Sequence, residues 1–310
     1  MLEHSRVPLF TGPTPVEEMW RLRAELRAHP KLLVKRDDAI SFGFGGNKVR
    51  KLEYVLAQAR AYDADTVVTL GGLQSNHARA TAAAAAKLGL RCVLIINGGP
   101  QERPTGNALL DRLLGAEIEY IPSRNERAEA GERVMTRLRD EGCRPYFIPL
   151  GASTPTGAFG FVTAVGELVE QGVVPDVIVH ASSSGGTQAG LVAGVALHGL
   201  NTRVIGVSAD DPATEVAESI RRIVRGVDGL ETFDGPIDVD DTRVGGGYGV
   251  PTEASREAQA VAARTEALFV DHTYTAKAFS ALIAYLREGR FDTDESVLFW
   301  HTGGQVGLFA

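Results

Sequence analysis

Lys48 ends the run Gly43-Phe44-Gly45-Gly46-Asn47-Lys48, and an amphipathic stretch, Val49-Arg50-Lys51-Leu52-Glu53, follows at once. Glycine has no Cβ, so such a loop lets the backbone approach a ligand. A lysine in the first turn of a helix faces the positive end of the macrodipole, which disfavours its ammonium form. Partial desolvation would lower its pKa further and make the amine a better nucleophile. On this stretch alone, the simpler account is a solvated helix start with surface cations at Lys48, Arg50 and Lys51.

Three other loops could carry chemistry. Gly71-Gly72-Leu73-Gln74-Ser75-Asn76-His77 follows an apolar run and leads into a helical one. Free N–H groups at a helix start can hold a carboxylate or phosphate, and Ser75 and Asn76 add a hydroxyl and an amide. A plain N-cap at Ser75, with Arg79 solvated beyond it, accounts for the same residues. Ser182-Ser183-Ser184-Gly185-Gly186-Thr187 lies between a strand and a helix and suits a phosphate better than a plain turn. It lacks the Gly-Lys-Ser/Thr of a nucleotide P-loop and the glycine spacing of a dinucleotide site. His301-Thr302-Gly303-Gly304 ends the last strand; Thr302 could bond a ligand there or be an ordinary buried threonine.

The elements that must position these loops follow from periodicity. Strands are expected at Lys31–Arg36, Thr66–Leu70, Cys92–Ile96, Glu117–Ile121, Tyr146–Ile148, Asp176–His180, Arg203–Val207 and Ser296–Trp300. Longer helical stretches separate them, the first from Thr14 to Ala28 with Thr14 and Glu17 as a capping box. Further helices are expected at Asn47–Ala61, Ser75–Leu88, Pro104–Leu114, Asn125–Arg139, Gly157–Gln171, Thr187–His198, Pro212–Arg225, Thr252–Glu266 and Tyr274–Arg287. Short apolar strands between helices are the pattern of a parallel sheet covered on both faces. Pro149 to Gly157 reads as a turn-rich junction between two α/β blocks, and Leu230 to Gly247 as a long loop.

The 310 residues suit one large or two modest domains. A net charge of -7, with no long basic cluster, gives no footprint for nucleic acid. Cys92 and Cys143 have neither metal-ligand nor disulfide-framework spacing, and Cys92 reads as a core residue; no metal site is expected. The N-terminus, Met1 to Pro8, shows no hydrophobic leader, and no run approaches the ~20 apolar residues of a membrane span. A cytoplasmic protein is the expectation.

A nucleophilic lysine, a phosphate cradle and a carboxylate site together describe pyridoxal phosphate acting on an amino acid, an outcome the residues permit without compelling. Gly45-Gly46-Asn47-Lys48-Val49-Arg50-Lys51-Leu52-Glu53 resembles the cofactor-lysine motif of the D-cysteine desulfhydrase and 1-aminocyclopropane-1-carboxylate (ACC) deaminase family. Gln74-Ser75-Asn76-His77, Ser183-Ser184-Gly185-Gly186-Thr187, Tyr248-Gly249-Val250-Pro251, Tyr274-Thr275 and His301-Thr302-Gly303-Gly304 are similar to its other motifs, in the same order. The resemblance spans Thr14 to Ala310.

It implies an α/β fold of two open, mainly parallel twisted-sheet domains flanked by helices, the tryptophan-synthase-β-like fold type II. The large cofactor domain would comprise residues 1–50 and 158–310, and a smaller α/β domain residues 51–157, with the active site in the cleft between them. Lys48 would form the imine with pyridoxal 5'-phosphate and move the proton at Cα. Asn76 would bond the phenolic oxygen, and Ser183, Ser184, Gly185, Gly186 and Thr187 the phosphate. Thr302 would stand near the pyridine nitrogen. Ser75, with the amides of Asn76 and His77, would hold the substrate carboxylate. Tyr248 and Tyr274 would flank the cofactor and serve in proton transfer.

In the same family pattern, ACC deaminases carry glutamate after the second tyrosine and leucine between His and Gly-Gly. This chain has Thr275 and Thr302, the desulfhydrase-like choice, and Thr275 would contribute to substrate binding. The expected reaction is α,β-elimination from a small β-substituted amino acid, giving a 2-oxo acid and ammonia; from D-cysteine it gives pyruvate, sulfide and ammonia. ACC deamination, cleavage of another β-substituent such as the sulfonate of L-cysteate, and a non-catalytic binding protein are the alternatives. A homodimer is expected by analogy. Trp300 stands where the family carries a smaller residue.

Overall fold

Among the described residues, ten strands form where short apolar runs are bounded by polar turns. In chain order they are β1 (Val16–Glu18), β2 (Lys31–Arg36), β3 (Thr66–Gly72), β4 (Arg91–Asn97), β5 (Glu117–Ile121), β6 (Pro145–Phe147), β7 (Val177–Ser182), β8 (Arg203–Ser208), β9 (Asp238–Asp240) and β10 (Ser296–His301). The helices are α1 (Trp20–Glu25), α2 (Asn47–Ala61), α3 (Asn76–Leu88), α4 (Gly106–Leu113), α5 (Arg127–Asp140), α6 (Pro155–Glu170), α7 (Gly186–Leu197), α8 (Ala213–Val224), α9 (Glu253–Glu266) and α10 (Thr275–Arg287). The computed structural model describes residues 5–310, so the first four residues of the segment read as leaderless lie outside the described residues. Among the described residues no helix is long and apolar enough to cross a membrane.

The strands make two sheets. One is six-stranded in the order β1-β2-β10-β7-β8-β9, the other four-stranded in the order β5-β4-β3-β6. Every pairing is parallel except β1 with β2. The central strands are apolar on both faces because helices cover both. In β10, Val297 and Phe299 face α9 and α10, while Leu298 and Trp300 face α6, α7 and α8. In the smaller sheet, Val67 and Leu94 pack with α2 and α3, and Val68, Val93 and Ile95 pack with α5. This is an α/β fold with parallel sheets flanked by helices.

Two glycines decide how the helices near the candidate loops sit. A Cβ on Gly160 of α6 would lie 2.4 Å from the Arg50 carbonyl oxygen of α2. A Cβ on Gly190 of α7 would lie 2.3 Å from the Ala158 carbonyl oxygen of α6. The backbone of α6 therefore touches both the helix that starts at the Lys48 loop and the helix that starts at the serine-glycine loop.

The segment Thr14–Ala28 differs from the helix expected there. It is edge strand β1 followed by the short α1, which begins beyond Met19. Thr14 caps nothing: its buried hydroxyl donates to Asp37 Oδ1 at 3.0 Å, and Val16–Glu18 pairs with β2. A tertiary polar cluster and a sheet edge outcompete the local capping pattern. The long loop after Leu230 contains β9, which extends the large sheet beside β8. Trp300 is fully buried, edge-on to Phe161, and its indole N–H donates to Asp37 Oδ2 at 2.8 Å. Its bulk belongs to the core.

Candidate functional site

Lys48 occupies the second position of α2, whose N-cap is Gly46. Gly45 and Gly46 adopt φ of 66° and 95°. Their missing side chains make room for backbone. A Cβ on Gly45 would meet the Ile40 carbonyl oxygen at 2.5 Å, and one on Gly46 the Thr302 carbonyl oxygen at 2.9 Å. The Asn47 amide donates to that same Thr302 oxygen at 3.0 Å. The glycines thus seat the loop on the end of β10. The Lys48 side chain is half-buried, and its Nζ donates to Asn47 Oδ1 at 3.1 Å. Burial, and then the nearby Arg79 cation, lower its pKa to about 8, against the opposing pull of Asp271. Arg50 and Lys51 are not the surface cations expected of a solvated helix start: both are buried.

At the start of α3, Ser75 is the N-cap, and its Oγ accepts from the Ala78 amide at 3.1 Å. The amides of Asn76 and His77 have no acceptor among the described residues and point out of the first turn. The His77 ring is buried and bonds Thr69 Oγ1 at 2.8 Å, so only its backbone is free for a ligand. Asn76 Oδ1 accepts from Asn107 Nδ2 at 2.9 Å, which turns its own amide nitrogen toward the cavity as a donor. Arg79, expected in solvent, is fully buried. Its guanidinium bonds Asn107 Oδ1 and the carbonyls of Gly43 and Gly45, joining the Lys48 loop to α3 and α4.

The serine-glycine loop ends β7 and opens α7, with Gly185 at φ 81° as its N-cap. Thr187 Oγ1 accepts from Asn47 Nδ2 at 2.9 Å, so Lys48, Asn47 and Thr187 form one chain of contacts. Ser184 Oγ bonds Ser153 Oγ at 2.7 Å, and Ser153 also accepts from the Gly186 amide at 3.2 Å. The amides of Ser183, Ser184, Gly185 and Thr187 have no acceptor among the described residues. Lys51 lies one turn beyond Lys48 on the same face of α2, and its side chain lines this cavity. Burial and Lys48 both push its pKa well down, and among the described residues no carboxylate pulls it back. A buried cation without a counterion, beside a nest of free amides, fits a phosphate dianion.

Tyr248 and Tyr274 close the far wall. Their hydroxyls are 2.5 Å apart and their rings meet edge-on at 5.6 Å. Burial and the Tyr248 phenol raise the Tyr274 pKa well above the usual range, so that hydroxyl keeps its proton. Asp271 sets the position of Tyr274: its carboxylate accepts from the amides of Thr273, Tyr274 and Thr275. Lys277 holds the other tyrosine's loop. Its buried Nζ donates to the carbonyls of Ala209, Val244 and Gly247 at 2.8–2.9 Å.

The structure brings Lys48, Ser75, Asn76, His77, Ser183, Ser184, Gly185, Thr187, Tyr248, Tyr274 and Thr302 around one cavity. Gly186 sits directly behind the loop, against Ser153. Thr275 is not brought there. It is fully buried, and its hydroxyl donates to Asp271 Oδ1 at 2.7 Å, so it serves the helix start. Lys51, Arg79, Asn107, Ser153, Asp271 and Lys277 were not singled out from the sequence as site residues. Of these only Lys51 carried a signal, its i,i+3 spacing from Lys48.

A family profile described as pyridoxal-phosphate dependent enzyme matches residues 7–303. The chain belongs to that family. Its cofactor is pyridoxal 5'-phosphate, in accord with the free amides and the unpaired Lys51. A 1-aminocyclopropane-1-carboxylate deaminase from Burkholderia vietnamiensis is 39% identical over 323 residues, covering 98% of this chain and 96% of the relative. A D-cysteine desulfhydrase from Salmonella typhi is 37% identical over 315 residues, covering 98% and 95%. A solved structure described as an ACC deaminase homologue matches with a TM-score of 0.92 at 35% identity, covering 99% of this chain and 94% of that one. Among pyridoxal-phosphate dependent enzymes, this chain is thus similar to ones that eliminate or deaminate.

Proposed function

We propose that this chain catalyses α,β-elimination from a small β-substituted amino acid, in the manner of a D-cysteine desulfhydrase, and releases a 2-oxo acid, ammonia and the β-substituent. The observation that carries the reading is the amine of Lys48, half-buried with a pKa of about 8, between two helix starts with free amides. Bound pyridoxal phosphate supplies an aldehyde and an electron-withdrawing ring that stabilises negative charge at Cα.

The chain's own residues do the rest. Ser183 to Thr187 and Lys51 would hold the phosphate, and Asn76 would donate to the phenolic oxygen. Thr302, which lines the cavity, would stand by the pyridine ring. Ser75 and the amides of Asn76 and His77 hold the substrate carboxylate, which fixes the Cα–H bond toward Lys48. The Lys48 amine takes that proton; a pKa near 8 keeps a useful fraction unprotonated at neutral pH. The Tyr248–Tyr274 pair, with Tyr274 held protonated, can donate a proton to the departing group or the product.

Two relatives favour different substrates. Identity to the ACC deaminase from Burkholderia vietnamiensis supports ring opening of ACC as the second reading. Position 275 speaks against it: a threonine turned onto Asp271 offers no acid or base to a strained ring. The experiment is a panel of β-substituted D- and L-amino acids with ACC, assayed for 2-oxo acids. Pyruvate from cysteine above 2-oxobutanoate from ACC is the expected outcome, and the reverse order establishes the deaminase reading. Lys48→Ala is expected to lose both the cofactor's visible absorbance and all turnover.

A further inference from the structure

One cation at the cavity mouth has no place in the roles above. Arg127 is the first residue of α5, half-buried, and lines the cavity. One terminal nitrogen donates to the side-chain oxygen of Asn97, at the end of β4. Its Nε is buried and has no hydrogen-bond partner among the described residues. Among the described residues no carboxylate pairs with it. Burial holds its pKa below the usual guanidinium range; Tyr248 opposes that more than Arg124 adds to it, and Tyr274 opposes it less.

The acids at the same mouth are committed elsewhere. Asp210 accepts from Arg124 at 2.8 Å and from the Tyr248 amide at 2.9 Å. Asp211, beside it, is pushed up by burial and by Asp210, and does not act on Arg127. Arg50 shows the contrast: buried deeper, it is matched by both Asp37 and Glu167. A partly desolvated guanidinium left without a counterion is costly unless a ligand supplies the charge. The two other anion sites of the cavity are already assigned, the phosphate to the start of α7 and the α-carboxylate to the start of α3. Arg127 lines the same cavity as Tyr248 and Tyr274 and feels both, the pair read above as proton donor to the departing group.

We infer that Arg127, oriented by Asn97, forms a subsite for an anionic β-substituent, so that among the small β-substituted amino acids this chain eliminates, those carrying a sulfonate or phosphate oxyanion on Cβ are favoured. The inference rests on the elimination reading above. A guanidinium fork matches two oxygens of such a group, and its charge favours the group as it leaves. With cysteate, the Cα–H and Cβ–S bonds break and a Cα–Cβ double bond forms. The Cβ–S electron pair leaves with sulfite, and the Cα proton passes to the enzyme's base. One water converts the enamino acid to pyruvate and ammonia. No oxidant or reductant is needed. With O-phosphoserine the Cβ–O bond breaks in the same way and phosphate leaves.

The test compares wild type, Arg127→Met and Arg127→Lys, each loaded with cofactor. The substrates are D- and L-cysteate, D- and L-phosphoserine and neutral β-chloroalanine. Sulfite, phosphate and pyruvate are assayed separately, so the two oxyanion sources are told apart. Wild type is expected to release sulfite or phosphate. Arg127→Met is expected to cut kcat/KM for that substrate by roughly 10–100-fold more than for β-chloroalanine, with partial recovery in Arg127→Lys. Binding of 3-sulfopropanoate, which has no amino group to react, is measured by calorimetry and is expected to weaken at least ~10-fold in Arg127→Met. Pyruvate from β-chloroalanine without sulfite or phosphate from any oxyanion substrate would overturn the subsite and leave the elimination reading standing. So would an equal fall for all substrates, or unchanged 3-sulfopropanoate binding. If no substrate yields pyruvate, the elimination reading fails, and the calorimetric arm alone decides the subsite.

Discussion

A lysine becomes a useful base only when its surroundings take away the stability of its charge, and Lys48 shows which surroundings do so. Burial contributes most, the Arg79 cation next, and Asp271 opposes them, leaving a pKa of about 8. The free amine is the reactive form, and its fraction rises with pH through that value. The rate at which the cofactor-free protein takes up pyridoxal phosphate is therefore expected to climb with pH and reach half its maximum near 8. Arg79→Met removes a positive neighbour, so the ammonium becomes easier to keep and the midpoint moves to higher pH. The readout is the position of the profile, followed by visible absorbance, since Arg79 also ties the Lys48 loop to α4 and its loss will lower the height. A midpoint that stays in place would show that Arg79 acts on Lys48 only through structure. None of this was legible from Arg79 itself. An arginine one turn into an alanine-rich helix reads as solvated, and only the fold shows that Gly43 and Gly45 turn their carbonyls toward it.

Elements place these residues through contacts that leave little slack. The α6 backbone meets α2 at Gly160 and α7 at Gly190, so the lysine helix and the phosphate-loop helix are registered on one support. The Tyr248 loop has no such support from secondary structure; it has Lys277. Three carbonyls, of Ala209, Val244 and Gly247, converge on one buried ammonium. Lys277→Met keeps most of the apolar stem and removes the charge, leaving three carbonyl groups to find water or move. About 1–3 kcal/mol of local stability is at stake. Faster amide exchange across residues 241–250 is expected, with kcat falling while the affinity for cofactor holds. If exchange in that loop is unchanged, Lys277 does not order it. The elements themselves were mostly legible, because strands such as Glu117–Ile121 and helices such as Asn47–Ala61 carry their own apolar period and end signals. What local pattern could not give was Thr14, where a capping motif was present and a partner distant in sequence took its hydroxyl. Thr275 failed for the opposite reason: its motif position suggested a ligand, and a local partner, Asp271, claimed it.

Across the whole molecule, one buried charge cluster ties the two sheets' supports together. Arg50 of α2 bonds Asp37 at 2.8 Å and Glu167 of α6 at 3.0 Å. Lys35 of β2 reaches Glu167 at 2.5 Å, and Trp300 of β10 donates to Asp37. Burial alone would raise the Glu167 pKa, but its bonds and charges with Arg50 and Lys35 more than offset that and hold it below the usual carboxylate range. A depressed carboxylate stabilises the fold above its unfolded pKa, and that contribution is lost as the pH falls through the lowered value. Arg50→Met reverses the balance. It leaves a buried carboxylate, Asp37, and a partly buried one, Glu167, with too little positive charge, at a cost of roughly 3–5 kcal/mol. For a chain of this length that lowers the melting temperature on the order of 10 °C. Without Arg50, burial pushes the Glu167 pKa up, so acid protonates the group and relieves the strain. The deficit relative to wild type is thus expected to be largest at neutral pH and to narrow toward pH ~5. Thermal melts across that range, on protein without cofactor, check it. A deficit independent of pH would mean that Arg50 matters for its packing against α6 and Phe10. A deficit that narrows would show that the lysine loop rests on a charge-balanced joint between β2, β10, α2 and α6.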